Sequence, residues 1–230
     1  MNTLENNYRH EIKFIINNSD IELLKKKLSL FMHEDNNYNG EYLVSSLYFD
    51  DIYNNSYQSK LAGDYIREKY RIRYYNNDRS YITLELKGKE NNLCYKRRDI
   101  ITYEEYNHII KKEYDKINIG NRKLLDRFIF DMKNKNLIPN IIVDYYRKAF
   151  VYDIEDVRIT FDRDIKSSMF NYDLFDKKRF KLNALDNGEI ILEVKYNNRL
   201  PNFINEIINN TRLVRIAVSK YVLCMDKKGI

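Results

Sequence analysis

The chain has no tryptophan, two cysteines, two prolines and six glycines among its 230 residues, and each shortage excludes something. Two thiols, Cys94 and Cys224, are too few for a disulfide framework, and their spacing matches no metal motif. So little glycine and proline leaves no flexible or proline-rich linker to separate a second domain. No internal repeat is visible, so residues 1–230 read as one domain. The first residues, MNTLENNYRHEIKF, hold no apolar leader segment, and no run reaches the ~18 apolar residues that span a bilayer. These absences predict a cytoplasmic protein without a membrane span of its own.

What the chain does have is 21 Tyr and 11 Phe, with 43% hydrophobic and 32% charged residues, a globular composition. Forty Lys and Arg against 34 Asp and Glu give a net charge of +6 and a pI near 9.0. That excess favours an anionic partner only weakly by itself. The abundance of Asn, Lys, Ile and Tyr matches an AT-rich coding bias, so Asn-rich loops carry little functional weight.

Hydrophobic periodicity and turn residues predict an α+β order. Strands are expected at Tyr8–Ile16, Leu43–Phe49, Ile66–Tyr75, Ser80–Lys87, Asn92–Ile100, Asn140–Phe150, Val157–Asp164 and Glu189–Tyr196. Asn76-Asn77-Asp78 makes a hairpin of the third and fourth. Helices are expected from a Ser19–Glu22 capping box to Phe31, with Ile21, Leu24, Leu28 and Phe31 on one stripe. Others run from an Asp50-Asp51 cap to Leu61, from a Thr102–Glu105 capping box to Lys112, over Asn121–Lys135, near Pro201, and from Val218 to Asp226. Eight strands in meander-like order with helices outside predict an antiparallel eight-stranded β-barrel.

The strands carry the chemistry. In Lys69-Tyr70-Arg71-Ile72-Arg73 the basic residues occupy every second position, so they share one face while the hydrophobes take the other. The same parity groups Arg9, Glu11 and Lys13; Glu85 and Lys87; Lys96 and Arg98; and Glu193 and Lys195, with Arg147 and Arg158 on two further strands. A single such face would normally meet water. Its recurrence in strand after strand points instead to a charged interior and an apolar exterior. Buried cations need carboxylates or a bound anion, and carboxylates here are the minority. Arg binds phosphate oxygens through its fork and Lys as a point charge, so a phosphate chain suits this lumen. The few inward carboxylates suit a divalent cation. Taken singly, Glu193 reads more readily as an ion-pair partner of Lys195 or of a neighbouring Arg than as a metal ligand. Glu11 reads as a metal ligand or as counter-charge to Arg9, and Glu85 has the same two readings, with counter-charge favoured. His10, His33 and His108 read as structural or exposed.

In order along the chain, RHEIKF, KYRIRYY, LELKGK, YKRR, DYYRKAF, VRITFD, LEVKY and SKY resemble the VTC-type polyphosphate polymerase domain, one of the triphosphate tunnel metalloenzymes. The resemblance runs from Arg9 to about Tyr221. It implies phosphate-binding roles for Lys13, Arg71, Arg73, Lys87, Lys96, Tyr145, Arg147 and Arg158, with Lys69, Arg98 and Lys195 beside them on the same faces. It implies a metal role for Glu193, shared with Glu11, and places Ser219 and Lys220 near the transferring phosphoryl group. The implied reaction moves the γ-phosphate of ATP onto inorganic polyphosphate with Mn²⁺ or Mg²⁺, needs no general base, and leaves room for a membrane partner that accepts the product. The related CYTH-type triphosphatases carry Glu-x-Glu-x-Lys on the first strand. Here Arg9 replaces one carboxylate, which weakens a two-metal hydrolytic site. A triphosphatase and a non-catalytic polyphosphate or nucleic-acid binder remain the alternatives, the latter disfavoured because the charges lie on the inner parity.

Overall fold

The computed structural model describes residues 8–35, 40–210, 213–217 and 219–228. Its strands are β1 (His10–Ile16), β2 (His33–Glu34), β3 (Tyr42–Asp50), β4 (Ile66–Tyr75), β5 (Ile82–Glu90), β6 (Leu93–Ile101), β7 (Ile138–Tyr152), β8 (Val157–Ser168), β9 (Leu182–Asn183) and β10 (Ile190–Tyr196). The helices are α1 (Asn18–Leu28), α2 (Asn55–Ala62), α3 (Tyr103–Ile110), α4 (Lys123–Asn134), α5 (Asn202–Asn209) and α6 (Lys220–Asp226).

The principal antiparallel path runs β1-β10-β8-β7-β3-β4-β5-β6, with β2 added to β7 and β9 to β8. All eight expected strands are present, and the expected meander survives in β3–β6. The rest of the path joins strands distant in sequence, such as β1 to β10 and β3 to β7. The outer strands of the path meet at an isolated bridge, where Arg9 and Cys94 exchange backbone hydrogen bonds of 2.9 Å in each direction. The sheet therefore curls into a tunnel whose edges, among the described residues, are tied at this bridge instead of along a full ladder.

Alternation decides what each face packs against. The outward Tyr70, Ile72 and Tyr74 of β4 enter an apolar cluster with α3 and α4 residues such as Tyr106, Leu125 and Phe128. On the other side Phe14, Ile16, Phe161 and Leu192 bury Ile21, Leu24 and Leu28 of α1 and Ile204 and Ile208 of α5. The last helix departs from the expectation of helices outside. Tyr221, Cys224 and Met225 of α6 pack on Val44, Tyr48, Val143, Tyr145 and Ile191, which lie on the same side of their strands as the charged residues. Part of the interior is thus apolar and filled by α6, because Val44, Val143 and Ile191 interrupt the charged parity.

Local signals shift in three places. The α1 capping box is formed by Asn17 and Asp20, two residues ahead of the expected pair, and the helix ends at Leu28, leaving Phe31 exposed against Phe203. Asp50 and Asp51 serve α2 from outside it, since left-handed Asn54 delays the helix. Asp50 accepts from the amides of Ser56 and Tyr57, and Asp51 from those of Tyr53 and Asn55. Strand β7 begins before Pro139, which sits at a register shift against Phe49, where the ladder does not need its missing N–H. The Thr102–Glu105 capping box forms as expected. The expected start of the last helix, Val218, lies outside the described residues.

Candidate functional site

Register brings the basic faces together. Strands β4 and β5 pair Lys69 with Lys87, Arg71 with Glu85 and Arg73 with Thr83, while β3 sets Tyr48 beside Arg71 and Ser46 beside Arg73. Arg71 donates from Nε to Glu85 (2.6 Å) and from Nη1 to the Tyr48 hydroxyl (2.9 Å). Arg73 donates to Ser46 Oγ (2.9 Å) and to the Tyr145 hydroxyl (3.1 Å). Glu85 is only 1% exposed. Burial would raise its pKa, but Arg71, Arg73 and Lys96 hold it well below the usual carboxylate range.

A second group forms on β7, β8 and α6. The Arg147 fork closes on Asp162 (2.6 and 2.7 Å), and Lys220 Nζ approaches the same carboxylate to 2.5 Å. Asp162 is fully buried, and against that burial Arg147 and then Lys220 lower its pKa. Between the two groups lies the β1–β10 pair, whose register sets Lys13 opposite Glu193 and Glu11 opposite Lys195. Lys13 Nζ is 3.3 Å from Glu11 and 3.5 Å from Glu193, Lys195 is 3.1 Å from Glu193, and Lys87 reaches Glu11 at 3.0 Å. Burial and the neighbouring Glu193 push the Glu11 carboxyl up, yet Lys13 and Lys87 hold it at about 2.

Lys69 differs from the others. It forms no ion pair among the described residues; its ammonium donates to Ser219 Oγ (3.0 Å) and lies 4.9 Å from the Tyr221 ring centroid. Burial, with Lys87, Arg71 and Lys13 nearby, drives its pKa well below the ordinary value.

These side chains line a narrow throat of about 50 Å³ containing Arg71, Arg73, Arg147, Lys195 and Lys220. Lys13, Lys69, Lys87 and Ser219 also line a neighbouring chamber of about 380 Å³, where Lys60, Arg67, Lys89 and Arg215 join them. Residues 215–217 border the chamber, tied down by the Ile216 amide on the Lys13 carbonyl (2.8 Å) and by Lys60 Nζ on the Ala217 carbonyl (3.0 Å). Eight basic side chains (Lys13, Lys69, Arg71, Arg73, Lys87, Arg147, Lys195, Lys220) thus meet four buried carboxylates (Glu11, Glu85, Asp162, Glu193). The interior has more internal counter-charge than the sequence parity indicates, but it remains strongly positive.

Most expected site residues converge here, Tyr145 included: its ring lies under the Arg147 and Lys220 cations at 5.2 and 5.0 Å. Three sit apart. Arg158 pairs with Asp35, donates to the Tyr42 hydroxyl (3.2 Å), and lines neither space. Lys96 is half-exposed beside Glu85 (3.2 Å), and Arg98 is exposed on the edge strand β6. Sequence reasoning missed Asp162, although it shares the Arg158 parity, and missed Ser46 and Tyr48 on the inner face of β3. Of the chamber's further basic residues, Arg67 and Lys89 are register partners that extend the faces of Lys69 and Lys87, and the same alternation could have found them, whereas Lys60 and Arg215 come from a helix and a coil that no strand periodicity reaches. The histidines stay outside: His10 stacks on Tyr196, His33 meets Asp153, and His108 meets Glu113.

One pH dependence follows directly. Burial lowers the Lys195 ammonium to about 8, despite Glu193 and Glu11. A bound polyanion favours the protonated form, so above pH 8 binding must take up a proton. Tripolyphosphate affinity is expected to fall above pH 8, with Lys195 contributing up to about tenfold per pH unit. Calorimetry between pH 7 and 9.5 measures this, and a flat profile would remove Lys195 from the anion site.

A curled antiparallel sheet with helices on its outer faces and paired arginines, lysines and buried carboxylates within defines a triphosphate-tunnel fold. It resembles a candidate adenylate cyclase from Vibrio parahaemolyticus, at 12% identity and a TM-score of 0.54, over 95% of this chain and 98% of that one. A second such protein, from Bacillus halodurans, is also 12% identical with a TM-score of 0.54, covering 92% and 95%. A Pyrococcus horikoshii OT3 protein is 14% identical with a TM-score of 0.51, covering 94% and 99%. At such identities the likeness concerns the fold. Among curated proteins none matches the chain. The family model of the VTC domain matches residues 8–227, and the chain belongs to that family. No helix among the described residues is long and apolar enough to cross a membrane.

Proposed function

We propose that this protein is a polyphosphate polymerase that transfers the γ-phosphate of ATP to a growing inorganic polyphosphate chain inside the basic tunnel. The observation that carries the reading is the throat of buried arginines joined to a lysine-lined chamber, in which basic side chains outnumber carboxylates more than two to one. Arg71, Arg73 and Arg147 hold phosphate oxygens with the donors their carboxylate partners leave free. Lys13, Lys69, Lys87 and Lys195 neutralise the chain, and Lys220, held on Asp162, directs its remaining N–H donors at the transferring phosphoryl group. Arg158, Lys96 and Arg98 guide the anion from outside the throat. Phosphoryl transfer asks mainly for positioning and charge neutralisation, and an ionised terminal phosphate attacks without a base.

Glu11 and Glu193 fit a divalent cation. They are two buried carboxylates on adjacent strands whose charge Lys13 and Lys195 now offset, and Mg²⁺ or Mn²⁺ commonly takes one or two carboxylates beside substrate phosphates. No group of three acids, histidines or cysteines suited to a metal occurs among the described residues. When bound, the ion would neutralise phosphate oxygens.

Transfer is favoured over hydrolysis on two grounds. Arg9 stands where CYTH-type triphosphatases have a carboxylate. The inward carboxylates are ion-paired, and one held at about 2 is a poor base for activating water at neutral pH. The test incubates purified protein with ATP and Mn²⁺ and resolves the product on a gel. Chains are expected, and Glu193→Gln should lower their synthesis by about 100-fold. Free phosphate from tripolyphosphate without chain growth would replace this reading with a triphosphatase. Binding displaced by DNA would replace it with a nucleic-acid binder.

A further inference from the structure

The chamber and the throat differ in one respect: among the described residues no aromatic side chain lines the chamber, whereas Tyr48 and Tyr145 line the throat. Aromatic rings gather instead at the other end of the β3–β4–β5 unit. Tyr75 ends β4 two residues after Arg73, and Tyr81 precedes β5 two residues before Thr83, the register partner of Arg73. Both tyrosines therefore continue the inner parity of the arginines. Their rings lie 6.5 Å apart at 27°, and both residues are partly exposed. Tyr42, itself buried, meets Tyr75 edge-on at 6.0 Å, and its register partner is Arg147. Tyr75 also lies in the field of the throat: against burial, Arg73 and Arg71 lower the pKa of its phenol.

We propose that Tyr75 and Tyr81 form a stacking surface for the nucleobase of the nucleoside triphosphate whose phosphates occupy the arginine throat, with Tyr42 bracing the Tyr75 ring. The inference rests on the ATP-using reading above and gives it a direction. The base stays at the tyrosine end, and the phosphate chain extends towards the lysine chamber, where no aromatic side chain among the described residues competes. Stacking on tyrosine tolerates any base, because every base has a π-face. The surface therefore selects nucleotides over bare triphosphate without selecting among nucleotides.

The test titrates a non-hydrolysable ATP analogue and tripolyphosphate into the wild type, Tyr75→Ala, Tyr81→Ala and Tyr81→Phe. Each alanine variant is expected to bind the analogue about tenfold more weakly while tripolyphosphate affinity stays within about twofold, and Tyr81→Phe should keep both. An analogue affinity that does not change, or a loss shared equally by tripolyphosphate, overturns the stacking surface. A wild type that binds tripolyphosphate but not the analogue overturns the ATP reading itself, so the two failures are distinct. Photolabelling of the wild-type protein with an azido-purine ATP gives an answer that does not depend on the variants folding. Label on the Tyr75–Tyr81 peptide supports the proposal, and label on chamber peptides carrying Lys60 or Lys89 overturns it.

Discussion

Replacing Asp162 by alanine is expected to cost about 3–5 kcal/mol of folding stability and about a hundredfold in turnover. The carboxylate is wholly buried and shared by two cations from different elements, Arg147 on β7 and Lys220 at the start of α6. Removing it leaves both buried charges without their closest partner, the costly half of breaking a buried ion pair. It also frees Lys220 from the tether that fixes its ammonium, and a displacement of about 1 Å at a reacting centre suffices for a hundredfold loss. The two consequences separate in Asp162→Asn, which keeps the shape and some hydrogen bonding. There, denaturant midpoints should recover part of the loss while turnover stays low. Tripolyphosphate affinity should hold or rise in the Asn variant, because the throat becomes more positive. Should Asp162→Ala unfold at the wild-type denaturant concentration and turn over normally, the shared-carboxylate arrangement does not operate in solution.

Arg71→Ala is the second change with a large expected effect: a loss of about 10²–10³-fold in ATP-dependent chain synthesis. Arg71 contributes a cation to the throat and also positions its neighbours. Its removal strips Glu85 of its closest partner and Tyr48 of a donor, leaving Glu85 with Arg73 and Lys96. Glu85 then draws Arg73 away from the phosphates. Arg71→Lys restores the charge but cannot span Glu85 and Tyr48 together, so it should recover less than about a tenth of the lost rate. The check is steady-state kinetics with ATP, paired with tripolyphosphate titration. Wild-type rates in Arg71→Ala would sink the assignment of the throat as the transfer site.

Much of this site was legible in the chain because a strand's faces are a local property. Lys69, Arg71 and Arg73 must share a face wherever their strand lies, and so must Glu193 and Lys195. The helix caps were legible to within a few residues, since Asn17 and Ser19 both suit a cap and only backbone geometry chooses between them. Ser46 and Tyr48 escaped notice because β3 read as a largely apolar strand, and nothing in its composition marks an inner face. Asp162 escaped because a single acid on an alternating strand reads equally well as a solvated residue.

The sequence by itself determined that there are strands with basic faces, that the opposite faces are apolar, and that cations outnumber inward acids. These follow from the period-two alternation of side chains and need no knowledge of neighbours. Only the tertiary structure decided which acid meets which cation: Glu85 with Arg71, Asp162 with Arg147 and Lys220, and Glu11 with Lys13 and Lys87. It also decided that α6 enters the interior, that Arg158 turns away to Asp35, and that Lys69 forms no ion pair among the described residues. Those outcomes depend on register between strands up to about 180 residues apart in sequence, such as β1 and β10, and on the space left when side chains pack. A pairing energy exists only once two groups are within a few ångströms, and local sequence carries no term for that distance.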